Sequence, residues 1–308
     1  MSGFTVRPRW HASPEWLKAE VAAHVGVIRQ VDDVHGGMTP GPAAILTSAL
    51  GERVFVKAVA ESESPASYAY YVNEATALRV LPAGLAAPRL RHLVQRDGWI
   101  ALILSHVPGS PAGPPWTERS IRAALGALSD VKVAPGGVPP IVSLLKDLDG
   151  WQRLGDHADA WERDNAAHLA DAVADWPEWT AGSSVVHQDV RADNVIVAPD
   201  GRSATLVDWS FCCSGAGWLD RARLAADVVC SGHADGVEAA QASALRILAD
   251  LPDRSWRFVA ALAGMWRIRS TFPADPAMNS MRRWQRNRAL ALRPLLGRWI
   301  HQRRVVGG

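Results

Sequence analysis

Hydrophobic positions follow two regimes along the chain. Before about residue 105 they come in short apolar runs, Val54-Phe55-Val56 and Trp99-Ile-Ala-Leu-Ile-Leu104, which predict strands. Between these runs Ala75, Leu78 and Leu81 recur at helical spacing within Tyr71–Leu81, and Pro82 stops the helix with Glu74 in its first half. Beyond Thr117 the chain reads as helices. Thr117 is placed as an N-cap, a further helix runs from Arg221 to Cys230, and Trp284, Leu292, Leu295, Leu296 and Trp299 outline a packed amphipathic C-terminal helix.

The stretch from Ser184 to Asp208 interrupts the helical half. Ser184-Val185-Val186 is strand-like, and a second apolar run, Val195-Ile196-Val197, is joined by Pro199-Asp200-Gly201 to a third, Ala204 to Val207. Proline, aspartate and glycine between β-branched runs form a hairpin signal, because proline presets φ and glycine accepts positive φ. A hairpin of that length returns the chain, so that Asp208 lies beside Asn194. His187, Asp189, Asn194 and Asp208 then stand in the order and spacing that kinase-type phosphoryl transfer requires. Two oxygen side chains converge near Asp189, as a Mg²⁺ site under a nucleotide demands.

Upstream, Lys57 ends the Val54–Ala58 run. The chain holds 4 lysines against 29 arginines, so a lysine inside an apolar strand is a pointed choice. Arginine keeps the charge but not the compact ammonium that fits between phosphate oxygens. An edge-strand lysine facing solvent is the competing reading, as a solvated helix glutamate is for Glu74. Before this strand, His35-Gly36-Gly37 through Thr39 and Gly41 offers glycines that let a backbone approach phosphates closely. An ordinary turn between two strands is the alternative there.

These motifs together, above all Val185–Trp209, resemble the aminoglycoside phosphotransferase and choline kinase group, the small-molecule relatives of the protein kinases. The resemblance implies an α+β, bilobed protein-kinase-like fold. A small N-terminal antiparallel sheet lobe, 1–104, would bind nucleotide, and a hinge at 105–107 would lead to a larger, mainly helical C-terminal lobe, 108–308, for catalysis and the acceptor. It also implies that Asp189 accepts the proton of the attacking hydroxyl while His187 buttresses its loop, and that Asn194 and Asp208 hold the metal. Lys57, paired with Glu74, would meet the phosphates under a loop bearing Gly36, Gly37, Thr39 and Gly41. Backbone groups of Ser105 and Val107 would face the adenine ring. The cofactors expected are ATP (or GTP) with Mg²⁺.

The resemblance has departures. Pro40 and Pro42 have no N–H to donate, and the three-glycine spacing of protein kinases is absent. His187-Gln188-Asp189 lacks the arginine of protein kinases, Asp208-Trp-Ser replaces aspartate-phenylalanine-glycine, and no Ala-Pro-Glu follows. A small-molecule acceptor is therefore expected rather than a protein.

Composition adds limits. The chain has 308 residues, 48% of them hydrophobic and 21% charged, as in soluble globular proteins. No apolar run approaches the roughly 20 residues of a membrane span, and the N-terminus lacks an export signal, so a cytoplasmic protein is expected. Cys212, Cys213 and Cys230 show no zinc spacing, and an odd count argues against a disulfide framework.

Charge is split within a net +2. Lys146 to Glu178 carries nine acidic residues against three basic, and Arg254 to Gly308 carries twelve arginines and one acid. The resemblance implies that the acidic run is an acceptor surface for a polycation, and a solvated helix face is the competing reading. The basic end alternates with apolar residues, so a charged outer helix face is expected rather than nucleic-acid binding.

The function expected from the resemblance is ATP-dependent phosphorylation of a hydroxyl on a small polar molecule. An antibiotic of the aminoglycoside kind stands first, and an amino alcohol, sugar or amino acid second. A catalytically dead nucleotide- or partner-binding fold is the reading from another class. The sequence says nothing of oligomeric state.

Overall fold

The computed structural model describes residues 7–306 apart from 38, 131 and 275. The first half of the fold is α1 (Glu15–Val25), β1 (Ile28–Asp33), β2 (Ala43–Ser48), β3 (Arg53–Ala60), α2 (Pro65–Val80), β4 (Leu90–Arg96) and β5 (Trp99–Ser105). The strands form one antiparallel sheet in the order β1-β2-β3-β5-β4. Asp97 (φ 50°) and Gly98 (φ 72°) make the tight turn between β4 and β5, a conformation that Asp-Gly accepts at little strain.

Period-two alternation puts the two faces of this sheet to different uses. Val54, Val56 and Ala58 of β3, with Ala101 and Ile103 of β5, pack under Leu17, Val21 and Val25 of α1. The alternate residues Val59, Ile100, Leu102 and Leu104 pack under Tyr71 and Ala75 of α2, with Phe55 at the edge of that cluster. Lys57 lies between Phe55 and Val59, so it projects on the α2 side. Helix α2 begins six residues before the expected Tyr71, because Ser64 caps it by accepting the Ser67 N–H at 3.2 Å and Pro65 opens its first turn. Glu74 consequently falls past the midpoint of α2, not in its first half.

The second half contains β6 (Ser110–Pro111), α3 (Glu118–Ser129), α4 (Ile141–Leu144), α5 (Ala160–Val173), α6 (Trp176–Thr180), β7 (Ser184–Val186), β8 (Val195–Val197), β9 (Ala204–Leu206) and β10 (Cys213–Gly215). The helices α7 (Leu219–Ser231), α8 (Val237–Ala249), α9 (Arg254–Arg269), α10 (Met281–Ala291) and α11 (Arg293–Val306) follow. Thr117 and Ser120 form a capping box on α3. From Phe258 to Ile268 every residue of α9 is buried, which makes it the central helix of this half. The amphipathic C-terminal stretch is two helices rather than one. Pro294 lacks an N–H, so it fits the first turn of α11 and cannot continue α10.

Strands β8 and β9 form the expected hairpin, pairing Val195 with Leu206 and Val197 with Ala204. Gly201 has φ 65° and donates its N–H to Ala198 O at 2.8 Å, closing the turn. The fold is α+β, an antiparallel sheet lobe joined to a helical region. Among the described residues, no helix is long and apolar enough to cross a membrane.

Candidate active site

A single cavity of about 900 Å³ runs between the sheet and the helical half. Its walls include Gly36, Gly37, Thr39, Lys57, Glu74, Ser105, Val107, Asp189, Asn194 and Asp208. Most residues singled out in the sequence are therefore brought to one place. Two are not on its wall, His187 and Gly41.

On the sheet side, Lys57 forms an ion pair with Glu74 Oε2, and its Nζ stands 3.4 Å from Asp208 Oδ1 and 4.7 Å from the centre of the Tyr71 ring. Burial works against the ammonium, but Asp208 and Glu74 outweigh it and hold Lys57 well above its ordinary value. Asp208 is buried too, yet Lys57, the Ser210 hydroxyl at 2.6 Å and Arg191 hold it well below the usual carboxylate range. Glu74 is pushed up to about 7, first by burial and also by Asp208, against the pull of Lys57. The cluster is thus a fixed cation, a fixed anion, and a third group that titrates near neutrality.

The hairpin supplies the other wall. Val207 donates its N–H to Asn194 O at 2.9 Å, which sets Asn194 beside Asp208 across the ladder. Asn194 Nδ2 donates to Asp189 Oδ2 at 2.8 Å and to Asp189 O at 2.9 Å, so its Oδ1 is the atom left for a cation. Asp208 adopts φ 65°, an uncommon conformation for a residue with a side chain, two residues after the end of β9. Asn194 and Asp208 offer the hard oxygen donors that Mg²⁺ takes.

His187 is fully buried and acts on the backbone. Its Nδ1 accepts the Asp189 N–H at 3.2 Å, so Nε2 carries the proton and donates to Val207 O at 2.9 Å. The imidazole also meets Trp209 edge to face at 4.6 Å. It braces the loop to the hairpin and does not face the cleft. Gly41 is set apart for a different reason: a Cβ there would stand 1.8 Å from Ala58 O, so the residue is glycine to let the loop lie on β3. Its carbonyl and that of Gly36 accept from the Arg7 guanidinium, which lines the cleft.

Three residues of α7 complete the brace around Asp189, and two of them, Arg223 and Asp227, are ones that sequence reasoning passed over. Asp220 accepts the N–H of His187 at 2.7 Å and of Gln188 at 2.9 Å, the latter at φ 65°. Asp227, fully buried, accepts the Ala192 N–H at 2.9 Å and the Trp116 Nε1–H at 2.8 Å, and pairs with Arg288. Arg223 donates its Nε–H to Gln188 Oε1 at 2.9 Å. Asp220, Arg223 and Asp227 are spaced i, i+3 and i+7 on α7, one face of a helix otherwise rich in alanine, leucine and valine. That buried charged stripe was the available signal.

The far end of the cleft is formed by α9, α10 and the segment between them. Trp266 lines the cavity, whereas Trp209 is core and Trp218 stacks on Trp179. Of the acidic run from 146 to 178 only Asp147 reaches the cleft wall. Cys212 and Cys213 are buried, and burial pushes both thiols up, Cys212 to about 12, so they behave as small core residues.

Comparison with known proteins agrees with this geometry. The family model described as the phosphotransferase enzyme family matches residues 43–262. Among solved structures, a choline kinase from Streptococcus pneumoniae superposes with a TM-score of 0.52 at 14% identity, covering 90% of this chain and 99% of that one. An amicoumacin kinase, solved with AMP-PNP and Ca²⁺, superposes with a TM-score of 0.53 at 13% identity, covering 90% and 93%. At such identities the likeness is one of fold. No curated protein matches the sequence.

Proposed function

The chain belongs to the phosphotransferase enzyme family and is a small-molecule kinase, and we propose that it moves the γ-phosphate of ATP (or GTP) to a hydroxyl of a small polar molecule, with Asp189 as base. The observation that carries this reading is the meeting of Lys57, Glu74 and Asp208 in one charged cluster on the same cleft as Asp189 and Asn194.

In this reading Asp189 takes the hydroxyl proton as the acceptor oxygen bonds to the γ-phosphorus and the bond to the β-phosphate oxygen breaks, releasing the nucleoside diphosphate. Asn194 orients that carboxylate through its amide, while His187, Asp220 and Asp227 hold the loop from behind. Lys57 presents a permanent positive charge to the phosphates. Asn194 and Asp208 would hold Mg²⁺, which when bound supplies charge neutralisation at the phosphate oxygens.

Residues 105–107 serve as the hinge between lobes 1–104 and 108–308. The Ser105 N–H already donates to Arg89 O at 2.9 Å, so a purine edge is met by backbone groups nearer Val107. Gly36, Gly37 and Thr39 line the cleft and cover the phosphates. Gly41 acts indirectly, by seating that loop on β3.

A hydroxyl-bearing antibiotic is the first acceptor class, and a metabolic amino alcohol, sugar or amino acid uses the same site. A catalytically dead fold is disfavoured by the assembled site, since Lys57, Asp189, Asn194 and Asp208 are all present and mutually placed.

The experiment is nucleoside diphosphate release from Mg·ATP against a panel of aminoglycosides, peptide antibiotics, nucleosides and amino alcohols. Acceptor-dependent release that disappears in Asp189→Ala is the expected result. Failure to bind Mg·nucleotide at all would sink the kinase reading.

A further inference from the structure

The charges at the far end of the cleft say what kind of acceptor it takes, granted that the cleft works as proposed above. At about 900 Å³ the cavity is near the top of the roughly 300–1,000 Å³ range of small-molecule sites. Beyond the nucleotide wall its lining turns apolar, with Met265, Trp266, Phe272, Met278, Met281 and Trp284. Thioether and aromatic side chains of this kind suit a flat, polarisable body.

The ionised groups on this wall are mostly cations. Asp147 is the one carboxylate of the acidic run that lines the cleft, and it is already committed: it accepts from Arg153 Nη1 at 2.6 Å and from Arg269 Nε at 2.8 Å. Glu162 is buried between Arg267 and Arg293, each at 2.6 Å, and Asp159 caps α5 and pairs with Arg293. Asp156, Asp164, Asp171, Asp175 and Glu178 are exposed and line no part of the cavity. Apart from Asp193, which pairs with Arg191 at 3.2 Å, a polycation would meet only the carboxylates of the phosphoryl-transfer site itself.

Arg223 is in the opposite situation. Its side chain is nine-tenths buried and lines the cleft, bound through Nε to Gln188 and lying 5.7 Å over the Phe258 ring, with no carboxylate in ion-pair range among the described residues. Asp189 and Asp220 act on it only from farther away. A guanidinium taken out of water without a counter-ion is costly to the fold, and an anion delivered by a ligand relieves that cost. Burial brings its guanidinium down to about 10, the mark of a charge short of compensation. Near the cavity mouth Arg282 donates to Pro273 O at 2.9 Å and Gln285 Oε1 at 3.1 Å, and lies over the Phe272 ring at 5.7 Å.

We infer that the acceptor is a ring-bearing hydroxy compound with an anionic group, its flat body against Trp266, Trp284 and Met265 and its anion taken by Arg223, with Arg282 assisting at the mouth. Polycations of the aminoglycoside type are the wrong charge for this wall. The planar guanidinium matches a carboxylate or phosphate in bidentate fashion, which also fixes the orientation of the hydroxyl relative to Asp189.

Three probes of one skeleton test this: 4-(hydroxymethyl)benzoate, 4-(hydroxymethyl)benzyl alcohol and 4-(hydroxymethyl)benzylamine. Ligand-observed NMR titration against the full chain with Mg·ADP gives a half-saturation concentration for each. The benzoate is expected to saturate at about tenfold lower concentration than the amine, the size of one charge-assisted hydrogen bond, with the alcohol between them. Arg223→Gln, and separately Arg282→Gln, should bring the benzoate to the level of the alcohol without changing ADP affinity. An amine that binds as tightly as the benzoate, or absence of binding by all three, would overturn the inference. So would an unchanged benzoate preference in both variants. Should Arg223→Gln fail to fold, the wild-type series and Arg282→Gln decide. Loss of nucleotide binding would instead sink the kinase reading, and the order of the probes can still be read on the nucleotide-free protein.

Discussion

Lys57 Nζ lies 3.4 Å from Asp208 Oδ1, a contact that joins the sheet to the hairpin of the helical half across 151 positions of sequence. The same ammonium is paired with Glu74. With all three ionised, one positive and two negative charges leave the cluster at net −1. In the proposed reading, nucleotide phosphates, themselves anionic, meet a cluster whose negative charge a divalent cation held by Asn194 and Asp208 would offset.

Asp208→Asn is accordingly expected to abolish Mg²⁺-dependent turnover, since it removes the carboxylate from a site that must neutralise phosphate oxygens. Rate measured against Mg²⁺ concentration is the check. A Mg²⁺ curve like that of the wild type would show that Asp208 does not hold the metal.

Asp189→Ala should lower kcat by about 10²–10⁴-fold, the usual worth of a positioned general base. Nucleotide affinity should stay close to normal, because in the proposed mechanism the carboxylate meets the acceptor hydroxyl and not the nucleotide. Equilibrium binding of ADP alongside single-turnover transfer separates the two effects. Near-normal turnover would remove Asp189 from the mechanism.

Glu74 makes a pH-dependent contribution with a definite sign. Its folded value, about 7, is above the ordinary carboxyl value of 4.5, so between those pH values the native state binds a proton that the unfolded chain has released. Its contribution to stability is full below pH 4.5 and is lost as pH rises through about 7. Glu74→Gln should erase this slope, which has an upper limit of about 1.4 kcal/mol per pH unit. Urea unfolding of both proteins from pH 4.5 to 8 measures it, and parallel curves would contradict the assignment.

Asp227→Ala removes the counter-ion of the buried Arg288 and the acceptor of the Ala192 and Trp116 N–H groups. Losing one partner of such a pair costs about 3–5 kcal/mol. The midpoint of chemical unfolding should fall accordingly, and a loss under about 1 kcal/mol would mean that the pair is nearly neutral for the fold, as exposed pairs are.

The parts of the site readable from sequence are those whose geometry is set within a few residues. Asn194 and Asp208 are brought together by a turn, Pro199-Asp200-Gly201, whose chemistry is local, and Lys57 is aimed by the alternation of a single strand. Glu74 was placed on the right helix but in the wrong half, because the start of α2 rests on a serine cap ahead of the apolar pattern. Arg223 and Asp227 were passed over, since a charged residue in an apolar helix shows its purpose only when the loop it supports is in view. The apolar far wall depends on how α9 and α10 are rotated against each other, which spacing alone does not specify. The acidic run misled through composition: its carboxylates are largely spent on arginines or turned to solvent.

Asp227 has an evolutionary implication. Its partner Arg288 lies 4.7 Å from the ring centres of both Trp266 and Trp284, while its other oxygen holds the loop of Asp189 through Ala192. Substitutions at cleft-wall residues such as Phe272 and Met281 would therefore retune what fits, whereas changes at the two tryptophans would reach the Asp189 loop through Arg288 and Asp227. Laboratory selection for new acceptors should accumulate its first substitutions at the former positions and leave the latter untouched.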